Sequence, residues 1–196
     1  MEHQWLLWGG GAAGIELAFA FRTRFGSSAC VTLISKRPFE ADAALSAAAK
    51  AIRRVLVNRG ITCIESQAVV EATEDSVVLS DGRSVAADVI CAATPVHPPD
   101  WILDSALPTE QGFLAVNDFL QVQKQSSLFA AGDILSLASP RGRLGVMAVR
   151  AGQYLADAIW KRLQGTMPRH FKPQQRWLTL LNRGNGSTIA AKGRFA

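Results

Sequence analysis

Gln4-Trp5-Leu6-Leu7-Trp8 runs straight into Gly9-Gly10-Gly11-Ala12-Ala13-Gly14, and the reading of this junction decides the fold. The apolar run reads as a short buried strand. The glycines occupy the three fixed positions of G-x-G-x-x-G, and helical character follows from about Ala12 to Phe25. Each glycine has a mechanical role: Gly9 permits the turn, Gly11 lets a ligand approach the main chain, and Gly14 lets helix and strand pack closely. The helix start offers free N–H groups and partial positive charge, which suits an anion such as a pyrophosphate. A bare hexapeptide is a weak signal. With a strand before it, a helix after it and a second strand at Ala29 to Ser35, it predicts a dinucleotide-binding βαβ unit. The plainer alternative is a glycine-rich connection chosen only for packing.

Working outward, the end of the second strand is where an NAD site places an acid against the ribose 2′-hydroxyl. Here the residues are Ser35-Lys36-Arg37, a hydroxyl and two cations that suit a 2′-phosphate and so NADP(H), although surface Lys-Arg pairs are most often simply solvated. Glu16 reads as a carboxylate in the first helical turn, either complementing the helix dipole or facing the nicotinamide end of the cofactor. Leu45, Ala49, Ile52 and Leu56 predict a second amphipathic helix that Gly60 stops. Val69 to Ala72 and Val77 to Leu79, with the Asp81-Gly82 turn, predict a small antiparallel meander, and Asp88 to Thr94 a returning buried strand. Pro95, Pro98 and Pro99 mark a boundary, giving a first domain over residues 1–94 and a second over 95–196. In the second, Phe113 to Val116 and Leu128 to Ala131 read as strands and Val146 to Leu163 as a long helix. Trp177 to Leu181 and Thr188 to Ala191 form a closing hairpin around Asn182 to Gly186.

At 196 residues, 48% hydrophobic and 19% charged, the chain can bury a sizeable core. Its apolar runs are too short to cross a bilayer. The N-terminus lacks a basic region followed by a long apolar stretch, so a cytoplasmic, reducing location is expected. Cys30, Cys63 and Cys91 contain no Cys-x-x-Cys pair, which argues against dithiol chemistry. Up to Asp133 there are 10 Lys/Arg against 15 Asp/Glu; from Ile134 there are 11 against the single acid Asp157. This basic segment is a solvated face, or a contact for phosphates, for anionic lipid at the inner membrane, or for an acidic partner. No nucleic-acid-binding motif accompanies it. His3, His97 and His170 have neither metal-ligand nor triad spacing, and no G-x-S-x-G is present.

Three segments together resemble a family: Gly9 to Ala18, Ala92-Ala93-Thr94-Pro95, and Leu128-Phe129-Ala130-Ala131-Gly132-Asp133. They look like successive signatures of FAD-dependent pyridine nucleotide-disulfide oxidoreductases. Within that superfamily the chain is similar to type II NADH dehydrogenases and, through Gly145 to Arg150 and Leu180 to Gly186, to the oxidoreductase domain fused to selenide, water dikinase. The resemblance implies an α/β, Rossmann-like FAD/NAD(P)-binding fold with a small meander, followed by the C-terminal part of an FAD-binding domain. It implies FAD and NAD(P)H as cofactors, with Gly9, Gly11 and Gly14 on the NAD(P)H pyrophosphate and Thr94 in the motif that closes the nucleotide domain. Gly132 and Asp133 match the second flavin motif, and Gly145 to Ala148, with Val146 and Met147, would begin a helix whose N-terminus faces the flavin ring. The implied reaction is hydride transfer from NAD(P)H to FAD and onward to an acceptor, with the cofactors carrying the chemistry and no side chain acting as acid, base or nucleophile in the first half-reaction.

The departures from the family pattern carry their own expectations. The family has an early glycine fingerprint for FAD and a later one for NAD(P)H, and the single fingerprint here has the spacing to Asp133 of the later one. The surface for the FAD adenine half is then expected from an N-terminal FAD-binding half supplied in cis or in trans. Pro95 stands where the family usually has Gly after Thr94. Two other classes stay open: a non-catalytic NAD(P)H-binding regulatory module, and a docking domain whose basic part, with Trp160, Phe171 and Trp177, meets an acidic partner or a membrane. A homodimer is among the assemblies open to the chain.

Overall fold

The computed structural model describes residues 2–136, 145–174 and 178–192. The chain is α/β and divides by packing into two units. One unit is built around a four-stranded parallel sheet. Its elements are β1 (His3–Trp8), α1 (Ala12–Phe25), β2 (Ala29–Ser35), α2 (Ala49–Asn58), β3 (Thr62–Glu65), the strands β4 (Val69–Ala72), β5 (Ser76–Leu79) and β6 (Ser84–Ala86), and β7 (Val89–Ala92). The sheet order is β3-β2-β1-β7, all parallel, while β4-β5-β6 form a separate antiparallel meander. This is the expected Rossmann-like arrangement.

Alternation along the central strands explains the layering. Leu7, Val31 and Leu33 point to one face, where they join Ile15, Phe19, Ile52 and Leu56 of the helices. Leu6 and Ile34 point to the other and meet Val77, Leu79 and Ala87 of the meander. A period of two thus buries both faces of the sheet under different covers.

The second unit contains α3 (Asp100–Asp104), β8 (Thr109–Glu110), β9 (Phe113–Ala115), β10 (Leu135–Ser136) and α4 (Gly145–Leu163). Its sheet order is β10-β9-β8, and its core gathers Ile102, Leu114, Val122, Ala130 and Leu135. The segment after α4 is tied down within the same unit: the Tyr154 hydroxyl donates to the Arg169 carbonyl at 2.7 Å, and the Phe171 amide to the Asp118 carbonyl at 2.7 Å.

The structure departs from the sequence reading in several places. Leu128 to Ala131 is not a strand: Phe129 makes one isolated bridge to Gln121, and the pairing goes no further because the facing segment is a turn from Asn117 to Leu120, with Leu120 at φ +55°. Thr62–Glu65, unread as a strand, forms one edge of the parallel sheet; a half-exposed four-residue strand carries almost no periodic signal. Glu16 lies beyond the first turn of α1, which begins at Ala12 and has no acid in that turn. The hairpin β11 (Leu178–Asn182) and β12 (Thr188–Lys192), expected with residues 95–196, packs instead with the chain up to Pro95. Leu181, Ile189 and Ala191 enter the core of α1 and α2, and Gly184, at φ +73°, lies where a Cβ would stand 3.0 Å from the Phe19 carbonyl. Trp177 lies outside the described residues. Among the described residues no helix is long and apolar enough to cross a membrane.

Candidate functional site

The glycine turn sits at the carboxyl end of β1, between β2 and β7. The chain runs from β1 through α1 to β2 on one side, while β7 lies on the other, so the turn occupies the topological switch point where ligands bind in open α/β sheets. Backbone bonds fix it from both sides. The Gly9 amide donates to the Ile34 carbonyl at 3.0 Å, and the Ala93 amide donates to the Trp8 carbonyl at 2.8 Å.

Within this frame the glycines divide into those that are packed and one that is open. Gly9 has φ +138°, and a Cβ there would stand 2.1 Å from the Ala93 carbonyl oxygen. A Cβ on Gly14 would stand 1.8 Å from the Gly9 carbonyl oxygen. Gly10, at a position the motif leaves free, is equally constrained, since a Cβ would stand 2.0 Å from Ser35 Oγ. No sequence signal marked Gly10, because its neighbour comes from another strand. In this turn Gly11 alone faces open space, with no atom beyond its immediate chain neighbours within 4 Å of the place a Cβ would take. It is the N-cap of α1 in extended conformation and supplies no side-chain cap. The first N–H groups of a helix have no intrahelical partner, so the open position over Gly11 is backed by donors suited to a diphosphate.

The other expected contacts in this unit fare differently. Thr94 is exposed immediately beyond β7, beside Ala93. Lys36 and Arg37 are exposed beyond β2. Ser35 is 5% exposed and donates its hydroxyl proton to the Arg37 carbonyl at 2.6 Å. A phosphate needs donors, and the one that Ser35 has is already engaged in shaping the loop. Glu16 accepts from the Asn182 amide at 2.7 Å, so its carboxylate holds the hairpin to α1.

Three residues that the sequence reading passed over anchor the loop carrying Lys36 and Arg37. The Arg53 guanidinium bonds Glu65 at 2.5 and 2.7 Å and also pairs with both oxygens of Glu40, while Glu65 accepts the Phe39 amide at 2.9 Å. Their separations in sequence exceed any local pattern. The Arg53 hydrogen bonds hold Glu65 below its ordinary range and bring Glu40 down to about 2. A carboxyl depressed by folding contributes stability above its unfolded value near 4.5 and loses it as the pH falls toward the folded value. Acidification from pH 4.5 to 2 is therefore expected to release this loop. The Phe39 amide resonance should report it, and Arg53→Met should move that titration up toward the ordinary carboxylate range; an Arg53→Met protein that titrates like the parent would contradict the assignment.

Two of the three cysteines stand on the outer strands of the parallel sheet. Cys63, Leu33, Leu7 and Cys91 lie in line across four adjacent strands, which separates the two cysteines by about 14 Å, far beyond disulfide reach. Burial pushes the Cys63 thiol up to about 12.

In the second unit, Gly132 has φ +82°, and a Cβ on it would come within 4.0 Å of Ala148 Cβ in α4. The Gly132–Ile134 turn therefore lies against the start of that helix, with Asp133 exposed. Val146 is 40% exposed, whereas the Met147 side chain is buried on the inner side of α4, leaving only its backbone for a ligand.

A family model described as pyridine nucleotide-disulphide oxidoreductase matches residues 2–152. Ferroptosis suppressor protein 1 of Xenopus tropicalis is 29% identical over 182 residues, covering 84% of this chain and 47% of the relative. The mitochondrial internal alternative NAD(P)H-ubiquinone oxidoreductase A1 of Solanum tuberosum is 27% identical over 92 residues, covering 44% and 19%. Among solved structures, the sulfide:quinone oxidoreductase of Aquifex aeolicus aligns with TM-score 0.74 at 14% identity, over 97% of this chain and 54% of that one. A putidaredoxin reductase–putidaredoxin complex aligns with TM-score 0.69 at 17% identity, over 93% and 45%. The chain spans less than half the length of both sequence relatives.

Proposed function

The chain belongs to the pyridine nucleotide-disulphide oxidoreductase family, and from that premise we propose that it is the NAD(P)H-binding part, with a portion of the flavin-binding part, of an FAD-dependent NAD(P)H:acceptor oxidoreductase. The observation that carries this reading is the open position over Gly11, framed by the packed Gly9 and Gly14 at the switch point of the sheet. Gly9, Gly11 and Gly14 hold the dinucleotide diphosphate through main-chain amides. Thr94 borders the same crevice, and Lys36 and Arg37 receive the adenosine 2′-phosphate, which favours NADPH over NADH. Gly132, Asp133 and the first turn of α4 hold the flavin in the second unit. The cofactors, when bound, supply hydride transfer; this chain orients them and stabilises negative charge at the helix start.

The fluorescence of reduced dinucleotides tests the proposal. Replacing Lys36 and Arg37 together by Ala removes charge-assisted bonds to the 2′-phosphate and should weaken NADPH binding about tenfold or more while leaving NADH within about twofold. Equal losses for both dinucleotides would refute the assignment of these cations.

A further inference from the structure

Arg53 of α2 gathers two acids from distant parts of the chain. It bonds Glu65, the last residue of β3, at 2.5 and 2.7 Å, and both oxygens of Glu40 in the loop after β2, while its guanidinium lies 5.5 Å from the centre of the Phe39 ring. Lys36 and Arg37 belong to that same loop. Ser35 is in register with Glu65 on the adjoining strand, so with strands about 4.8 Å apart and successive Cα atoms about 3.8 Å apart, the Lys36 main chain lies within about 9 Å of that of Glu65. The loop returns to the same residue at its other end, where the Phe39 amide donates to Glu65 at 2.9 Å. Both cations are thus tethered beside Glu65.

The charges of this loop determine what it can receive. Glu40 stands three residues after Arg37, and at low ionic strength, where the Debye length is about 30 Å at 0.01 M, both carboxylates act on the two cations. Left unpaired, they would offset Lys36 and Arg37 and repel a 2′-phosphate. Arg53 prevents this, because its forked guanidinium engages two carboxylates at once, which an ammonium does less well. Glu65 is the acid that water screens least, its side chain being 18% exposed against 53% for Glu40. Asp42, the third acid of the loop, accepts the Ala44 amide at 2.8 Å within its own turn. Neither Lys36 nor Arg37 has an ion-pair partner among the described residues. The loop therefore keeps a positive charge.

We infer that Arg53 is a positioning residue for the choice of dinucleotide: by holding Glu40 and Glu65 on its guanidinium it keeps the surroundings of Lys36 and Arg37 positive and so admits the 2′-phosphate of NADPH. This rests on the function proposed above. The test measures the affinity of the 196-residue chain for NADPH and NADH by their fluorescence at low salt. Arg53→Met should weaken NADPH about tenfold and leave NADH within about twofold, and the difference should shrink as salt is raised. Adding Glu40→Gln and Glu65→Gln to Arg53→Met removes the unmasked carboxylates, keeps an acceptor for the Phe39 amide, and should return NADPH binding to within about threefold of the parent. A triple variant that binds NADPH no better than Arg53→Met would overturn the inference, since a direct phosphate ligand or a mere anchor of the loop behaves in that way. So would salt-independent, equal losses for both dinucleotides, or NADPH binding unchanged by Arg53→Met. The pair Lys36→Ala and Arg37→Ala, measured alongside, separates the two assignments. NADPH binding lost in that pair but kept in Arg53→Met defeats only the role of Arg53; a loss in Arg53→Met that the triple variant reverses, with the pair unaffected, defeats only the assignment of the two cations.

Discussion

Gly14→Ala is expected to destabilise the parallel-sheet unit by about 3 kcal/mol or more. A methyl group there would lie 1.8 Å from the Gly9 carbonyl oxygen, with the Gly9 carbonyl carbon at 3.0 Å and Leu33 Cδ1 at 3.5 Å. The obstacle is backbone, and that backbone is held by the Gly9 bond to the Ile34 carbonyl, so no rotamer change relieves it. Either α1 moves off the sheet, opening the core around Ile15, Ala18 and Phe19, or the turn distorts and loses its shape for a diphosphate. In a thermal melt the loss should appear as a midpoint lower by about 6–12 °C, together with loss of dinucleotide binding. A Gly14→Ala protein that melts with the parent would show that helix and turn do not approach as closely as described.

Gly11→Asp separates binding from stability. The added side chain enters open space, and the backbone there, φ −75° and ψ 179°, is extended and acceptable to aspartate. As an N-cap it accepts a bond from the early helix amides and complements the dipole, gaining a few tenths to about 1 kcal/mol. The same carboxylate occupies the place assigned to the diphosphate, where like charges in contact cost several kcal/mol, so dinucleotide affinity should fall about 100-fold or more. Stability and binding are thus expected to move in opposite directions. Unimpaired NADPH binding by a folded Gly11→Asp protein would place the diphosphate elsewhere.

The parts of this fold that were legible in the sequence are those whose cause is local. The first strand, the glycine turn, α1 and the second strand occupy contiguous residues with a period that changes from strand to helix and back, and the structure reproduces Ala12–Phe25 and Ala29–Ser35. The meander was legible for the same reason. What escaped depends on partners distant in the chain. Glu16 meets Asn182, Arg53 joins Glu40 to Glu65, and Gly10 is held small by Ser35; none of these contacts leaves a pattern in neighbouring residues. The apolar run Leu128 to Ala131 misled because an extended segment with a single bridge and a paired strand share a composition, and only the course of the adjacent segment distinguishes them.

The most direct test of a diphosphate on this turn is a titration of isotopically labelled protein with NADPH and NADH, observing backbone amide resonances. Saturable shifts concentrated at Gly9 to Gly14 with both dinucleotides, joined by Lys36 and Arg37 with NADPH alone, are the expected result. Amides of Gly9 to Gly14 that stay in place while resonances elsewhere move, or no shifts at all, would contradict it.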